Sequence, residues 1–430
     1  MFKTLASAFK DKEIRKKILI VLLLLLVYRL GCFLPVPGLN ATTYNSIVGD
    51  NSTSLLGLLN TVTGSALSNA AFFALGVTPY INASIIVQLL TVGIPALERL
   101  SKQGDLGKQK INLITKLVAI GLAIAQGVGI VLGYSDTLVP IFGDNLLWLT
   151  GILVVIFLVA GTCFTMWIGD RITDQGIGNG LTFIIFIGII SSAAQSVANA
   201  ISSIGNDISY LWQLLAFVGL AIVLFALISW VDGAERKIPV QYAKQVKGRK
   251  MYGGQSTHIP MKVNGTGVMP IIFATAIITF PSLIAGLFWP ESGFYAWWSK
   301  WMGTGSIVYS ICVALLILFF SYFYAQMQFN PADVSLNIQQ NGGFIPGVRP
   351  GKPTTEYLTK ISRRITLFGA IFLAFLALVP SVVFGAVFGS QMSLINAFTA
   401  TGMLIVVSAA MEINQQLDAQ LMMKRHKNIL

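Results

Sequence analysis

The stretch RKIPVQYAKQVKGRKMYGGQSTHIP, residues 236–260, carries six Lys or Arg and no Asp or Glu. Basic side chains at that density attract phosphates, and such binding is electrostatic and salt-sensitive. Arg236, Lys237, Lys244, Lys247, Arg249 and Lys250 are therefore candidate contacts for a polyanion. A second basic element, GVRPGK, sets Arg349 between Gly347 and Pro350, with Lys352 just beyond. Flanked that way, Arg349 sits on a restrained tip and can offer a fixed fork to a carboxylate or phosphate. The other reactive side chains make no set. Cys32, Cys163 and Cys312 lie in apolar runs with no Cys-x-x-Cys, which reads as buried thiols. His258 and His426 lack ligand spacing, so neither a metal nor a cofactor is expected. GIGNG at 176–180 does not follow a strand and reads as a helix start, not a phosphate loop. Asn82, Gln88 and Gln126 are scattered and offer no acid–base pair, so no enzyme is expected.

The elements that carry these residues are greasy. Of 430 residues, 55% are hydrophobic and 11% charged, and the mean hydropathy is +0.74. A soluble domain carries about 25% charged residues, so the composition is that of a membrane protein. A bilayer-crossing helix needs roughly 20 apolar residues. Ten windows qualify: Ile18–Leu34, Ala70–Val92, Leu117–Tyr134, Leu146–Ile168, Leu181–Ile204, Leu211–Val231, Val268–Trp289, Ile307–Tyr324, Ile365–Phe388 and Leu394–Met411. All should be helices, because nothing alternates like a barrel strand. Pro79, Pro270, Pro281 and Pro380 should start, bend or kink theirs. The first window has a basic start but is followed by CFLPVPG and no small-residue cleavage site, so it reads as a retained helix and not a signal peptide.

Charge orients the chain. The segments 1–17, 98–116, 171, 232–266, 329–364 and the tail hold 27 of the 29 Lys and Arg. The opposite set of loops holds Lys300 alone. By the positive-inside rule both termini face the cytoplasm. Ten spans with both ends inside permit two halves of five, 1–205 and 206–430, in inverted orientation. Clear of the window edges the spans contain no Asp, Glu, His or Lys, and Arg29 is the one charge. Arg29 is expected to snorkel to the outer interface. The run LLGLLNTVTGSAL, Leu55–Leu67, is apolar but only thirteen residues long. It reads as an amphipathic surface helix or as a small helix folded back into the protein.

Several long motifs carry a resemblance. They include FLPVPGLN (33–40), FALGVTPYINASIIVQLL (73–90), SKQGDLGKQK (101–110), DQGIGNGLTFIIF (174–186), the basic stretch through MKVN (236–264), FNPADVSLNIQQNGGFIPGVRPGKPT (329–354) and GMLIVV (402–407). Over nearly its whole length the chain resembles the SecY family, central subunits of the bacterial Sec protein-conducting channel. It departs from the usual pattern at Thr399-Ala400, at Val77, and at Ser65, which stands where a glycine is usual.

The resemblance implies an all-α, polytopic fold. Ten transmembrane helices in two inverted five-helix halves surround an hourglass pore that opens sideways between spans two and seven, with a short plug helix. The plug would be 55–67, with Leu55, Leu56, Leu58, Leu59, Gly64 and Leu67. The waist would be an apolar ring of Val77, Ile81, Leu181, Ile185, Ile272 and Ile405. Residues four apart share a helix face, which fits two pairs and two singles converging, although aliphatic pairs at that spacing occur in any spanning helix. Asn82, Gln88 and Gln126 would line a wet lateral gate or merely bond between helices. The basic loops would dock the ribosome and the SecA ATPase, and they also suit anionic lipids. The implied activity is passage of unfolded secretory proteins across the cell membrane, and of membrane proteins sideways into it. The implied partners are SecE and SecG, signal peptides and nascent chains, and the YidC insertase. A ten-span transporter of small solutes is the alternative; it would keep carboxylates inside its spans.

The topology is testable. In a background lacking the three native cysteines, Ser256→Cys and Thr53→Cys should react with an impermeant thiol reagent from opposite faces of the membrane. Labelling from one face would overturn the ten-span arrangement.

Overall fold

The computed structural model describes residues 7–50, 60, 63–101, 103–133, 135–141, 146–204, 209–242, 245–247, 250–252, 256–289, 292–302, 306–388 and 400–427. Leu55, Leu56, Leu58, Leu59, Lys244 and Arg249 lie outside the described residues, as does Thr399.

Each apolar window holds a helix. The spans are α1 (Lys12–Gly31), α3 (Thr78–Gly93), α5 (Asp105–Gly133), α6 (Leu147–Asp174), α7 (Gly180–Ile204), α8 (Ser209–Asp232), α9 (Met269–Phe288), α11 (Ile307–Gln328), α13 (Lys352–Phe388) and α14 (Ala400–Lys427). Four shorter helices sit between them: α2 (Ala41–Asp50), α4 (Pro95–Ser101), α10 (Gly293–Met302) and α12 (Pro331–Gln340). Among the described residues, α5, α6, α7, α11 and α13 are by themselves long and apolar enough to cross a bilayer; α3 and α4, bent by 105° at Ile94, together make a sixth. Starts follow local chemistry. Asp11 caps α1, accepting from the Glu13 backbone N–H at 2.9 Å, and Ser306 caps α11, accepting from Tyr309 at 3.0 Å. Pro79 and Pro270 occupy the first turns of α3 and α9, where a missing N–H costs nothing. Pro281 lies inside α9 and Pro380 inside α13.

The second window does not run as expected. Its helix starts at Thr78, and residues 63–77 form turns. Ala70 at φ 46° and Gly76 at φ 50° are left-handed, which a helix does not allow. This irregular stretch is buried and strand-like in part: Phe72 N–H donates to Leu34 O at 2.8 Å and Val36 N–H to Ala70 O at 2.9 Å. Gly161 of α6 admits it, since a Cβ there would collide with the Phe72 carbonyl.

The helices pack in order, α3 on α5, α5 on α6, α9 on α11 and α11 on α13, while α14 lies against both α7 and α8. Lys116 of α5 pairs with Asp170 of α6 at 2.5 Å. One apolar core joins α1, the 66–77 stretch, α6 and α7; a second joins α8, α9, α11, α13 and α14.

The basic stretch folds as strands and not as a plain loop. β1 (Glu235–Tyr242) pairs antiparallel with β4 (Ser256–Lys262), with Ile238 opposite Ile259, and β2 (Gln245–Lys247) with β3 (Lys250–Tyr252) at the tip. β5 (Gly343–Phe344) joins the other edge of β1. It pairs only with Gln241 and Tyr242, so Pro239 lies where β1 is still an edge and no ladder bond is lost. Ile238, Val240, Met261, Ile338, Ile345, Leu358 and Ile361 form a small core beneath. The two basic loops are thus one unit.

Candidate functional site

A cavity of about 520 Å³ opens where α3, α7, α9 and α14 meet. Its lining includes Ile81, Leu181, Ile185, Ile272 and Ile405, five of the six residues expected at a waist. Ile81, Ile185, Ile272 and Ile405 also belong to one apolar cluster, so four helices each bring an isoleucine to one place. Val77 stands apart. It caps the start of α3 and is buried in the neighbouring cluster with Ala66 and Phe73, which Ile81 and Leu181 also touch. The cluster includes Ile189, Val268 and Val406, which sequence reading missed. Ile189 follows Ile185 by one helical turn, and that spacing was the available signal.

The lining also includes polar side chains, among them Asp232, Lys262, Asn264, Glu412 and Gln415. Asp232, at the end of α8, accepts from Asn264 Nδ2 at 2.6 Å and from Ser408 Oγ at 2.8 Å. Lys262, the last residue of β4, donates to Gln415 Oε1 at 2.8 Å. These bonds fasten the foot of the basic sheet to α14. Nothing in local sequence pattern marked Asp232, because its partners lie 32 and 176 residues away.

The three amides do not share a network. Gln88 lines the cavity and donates to Ser84 Oγ at 3.4 Å. Gln126 is buried on α5, and Asn82 is half-buried. Gln88 Oε1 and Gln126 Nε2 are buried without a partner among the described residues.

Of the thirteen-residue run, residues 60 and 63–67 are described; Gly64 and Leu67 among them are both buried. Arg29 does not snorkel. Its Nη1 donates to the Gly64 carbonyl at 2.9 Å, and its guanidinium lies 5.2 Å from the Phe33 ring centroid. Cys32 Sγ lies 3.9 Å from the Thr63 carbonyl. Gly64 has φ 69° and faces the backbone of Gly188 in α7, so only glycine fits there. Ser65 has φ 67°, a conformation that suits the glycine usual at that position.

On the basic unit, Arg236, Lys237, Arg349 and Lys352 are exposed. Lys237 is partly engaged by Glu235 at 3.2 Å. Lys247 and Lys250 are backbone partners at the tip of the hairpin. Arg349 projects from a braced loop. Its carbonyl accepts from Thr354 Oγ1 at 2.8 Å, Val348 N–H closes on Ile345 O at 3.0 Å, and Ile345 is buried. The Arg349 guanidinium has no partner among the described residues.

A family model described as SecY matches residues 71–414. A protein translocase subunit SecY from Streptomyces galbus is 39% identical over 443 residues, covering 100% of both chains. Two solved structures share the fold. One, reported as "The structure of a protein conducting channel", has a TM-score of 0.66 at 20% identity and covers 93% of this chain and 90% of that one. The other, Sec61 in the canine ribosome–channel complex from the endoplasmic reticulum, has a TM-score of 0.64 at 18% identity and covers 93% and 90%.

Asp232→Ala would leave Asn264 and Ser408 without their acceptor, at a cost of about 1–3 kcal/mol. The expected outcome is a lower midpoint of thermal unfolding in detergent and faster proteolytic cutting between β1 and β4. Unchanged values would mean that the tie carries no load.

Proposed function

This chain belongs to the SecY family, and on that premise we propose how its parts divide the work of a protein-conducting channel in a multi-pass membrane protein. The carrying observation is the convergence of Ile81, Ile185, Ile272 and Ile405, from four helices, in one apolar cluster at the cavity. Side chains without hydrogen bonds or charge repel water from a constriction, so ions cannot pass. They also bind nothing in a sliding chain, so an unfolded polypeptide of any sequence can move between them. A solute carrier would bring charged or polar ligands to the constriction itself; the cluster proposed as that constriction is aliphatic. Val77 and Leu181 extend the ring toward the 55–67 segment, which acts as the plug.

The halves 1–205 and 206–430 move as the two shells of the channel. Client segments leave sideways past α3 and α9, where Asn82, Gln88 and Gln126 supply polar contacts for a signal peptide. The sheet with the Arg349 loop is the docking face, and it lies in the cytoplasm with both termini, at the cell membrane. Lys244, Lys247, Arg249 and Lys250 attract ribosomal RNA diffusely, and anionic lipids compete for them. Arg349 and Lys352 meet the ribosome or SecA; SecE, SecG and the YidC insertase are the partners within the membrane.

Two measurements test this. Channels carrying Ile81→Ser and Ile185→Ser together should wet and conduct ions while idle; reconstituted channels that conduct no more than wild type would sink the ring. Arg349→Lys keeps the charge and loses the fork, so it should impair import of a precursor into vesicles nearly as much as Arg349→Ala, with Lys244→Ala close to normal. Wild-type import by Arg349→Lys would reduce Arg349 to general positive charge.

A further inference from the structure

Arg29 is the one charged side chain clear of the edges of the apolar windows, and it is spent on a backbone carbonyl. Residues 63–77 are irregular backbone packed among α1, α6 and α7. Backbone groups away from water need partners, and a carbonyl at a left-handed turn has no helical donor to use. Gly64 sits at such a turn, with φ 69°. Its carbonyl takes the Arg29 guanidinium, and the neighbouring Thr63 carbonyl faces the Cys32 thiol. On its other side Gly64 rests on Gly188 of α7, one turn beyond Ile185 of the ring. The end of the thirteen-residue run is thereby clamped between the last turn of α1 and the helix that carries the ring.

We infer that Arg29 is a positioning residue that anchors the stem of the plug and sets how readily the idle channel opens. The inference rests on the channel reading above. A charge-assisted hydrogen bond is stronger than a neutral one, and this one is partly buried. The charge cannot be lost, because guanidinium does not deprotonate in proteins. The guanidinium also lies over the Phe33 ring, a cation–π contact. When the plug moves, this bond is the charge-assisted contact recorded between α1 and the stem among the described residues, and it has to break or travel with it.

The test uses the full chain, purified with its native membrane partners and reconstituted into vesicles. Ion conductance is read with the channel idle, and again with a precursor stalled inside it. Arg29→Met should raise idle conductance by at least about ten-fold, the change expected on losing a charge-assisted hydrogen bond. Arg29→Lys, which keeps the charge and one donor direction, should fall between Arg29→Met and wild type. The excess should vanish once a stalled precursor fills the channel, because the plug is then displaced in every variant. An excess that persists in filled channels marks a general packing defect and overturns the anchor. If Arg29→Met conducts like wild type while the Ile81→Ser, Ile185→Ser channel leaks, the anchor fails and the ring stands. If neither leaks, the sealed-channel reading falls and takes the anchor with it. Should Arg29→Met not accumulate in the membrane, Arg29→Lys decides, and wild-type idle conductance there overturns the inference.

Discussion

In a bilayer every backbone N–H and C=O has to be paired within the protein, and this constraint orders the rest of the structure. Helices meet it by themselves, which is why each of the ten apolar windows holds one. The stretch 63–77 does not meet it by itself. It is tolerated because its neighbours supply partners: Leu34 takes the Phe72 N–H, Val36 gives to Ala70, Asn60 Oδ1 takes the Ser68 N–H, and Arg29 gives to Gly64. Gly161 contributes by leaving room for the Phe72 carbonyl. A non-helical segment so dependent on borrowed partners is also the part that can exchange them.

One helix connects the basic sheet to the isoleucine cluster proposed as the ring. Along α14, Ile405, Ser408, Glu412 and Gln415 follow each other at intervals of three or four residues and all line the cavity. That spacing puts them on one face. Ile405 is in the ring, Ser408 is bonded to Asp232, and Gln415 holds Lys262 at the foot of β4. Further along, Gln420 donates to the carbonyl of Gly176, just before α7, so α14 also touches the helix that carries Ile185 and Ile189. Side-chain bonds and one helix thus join the basic sheet to cluster residues on two helices.

Much of this was legible in the sequence, and the limits have physical causes. Apolar length located every span, because the bilayer sets that length. It misplaced the start of α3, since Ala71, Phe72, Phe73 and Ala74 are as apolar in turns as in a helix, and hydropathy does not see φ. The isoleucines that meet at the cavity stood out only through the family resemblance; periodicity alone gives the same pattern on any lipid-facing helix. Arg29 was misjudged because its partner is a backbone carbonyl 35 residues away, and main-chain acceptors leave no mark in side-chain chemistry. The strands of the basic stretch went unseen for a different reason. Pro239 and Pro260 argue against a sheet, and they fit only because each strand has an open edge.

The seal proposed here would be built from two unlike materials. The ring is held by dispersion and by exclusion of water alone, so it closes without a partner and yields without breaking a bond. The plug stem is held by directional bonds from α1, which resist small displacements and then give way. A ring by itself would leak whenever thermal motion parted four isoleucines. A stem by itself would need a tight polar fit to exclude ions, and such a fit would then grip the passing chain. Placed one helical turn apart on α7, at Gly188 and Ile185, the two cover each other. The bonded stem keeps the soft ring from opening at random, and the soft ring lets the bonded stem sit away from the path of the polypeptide.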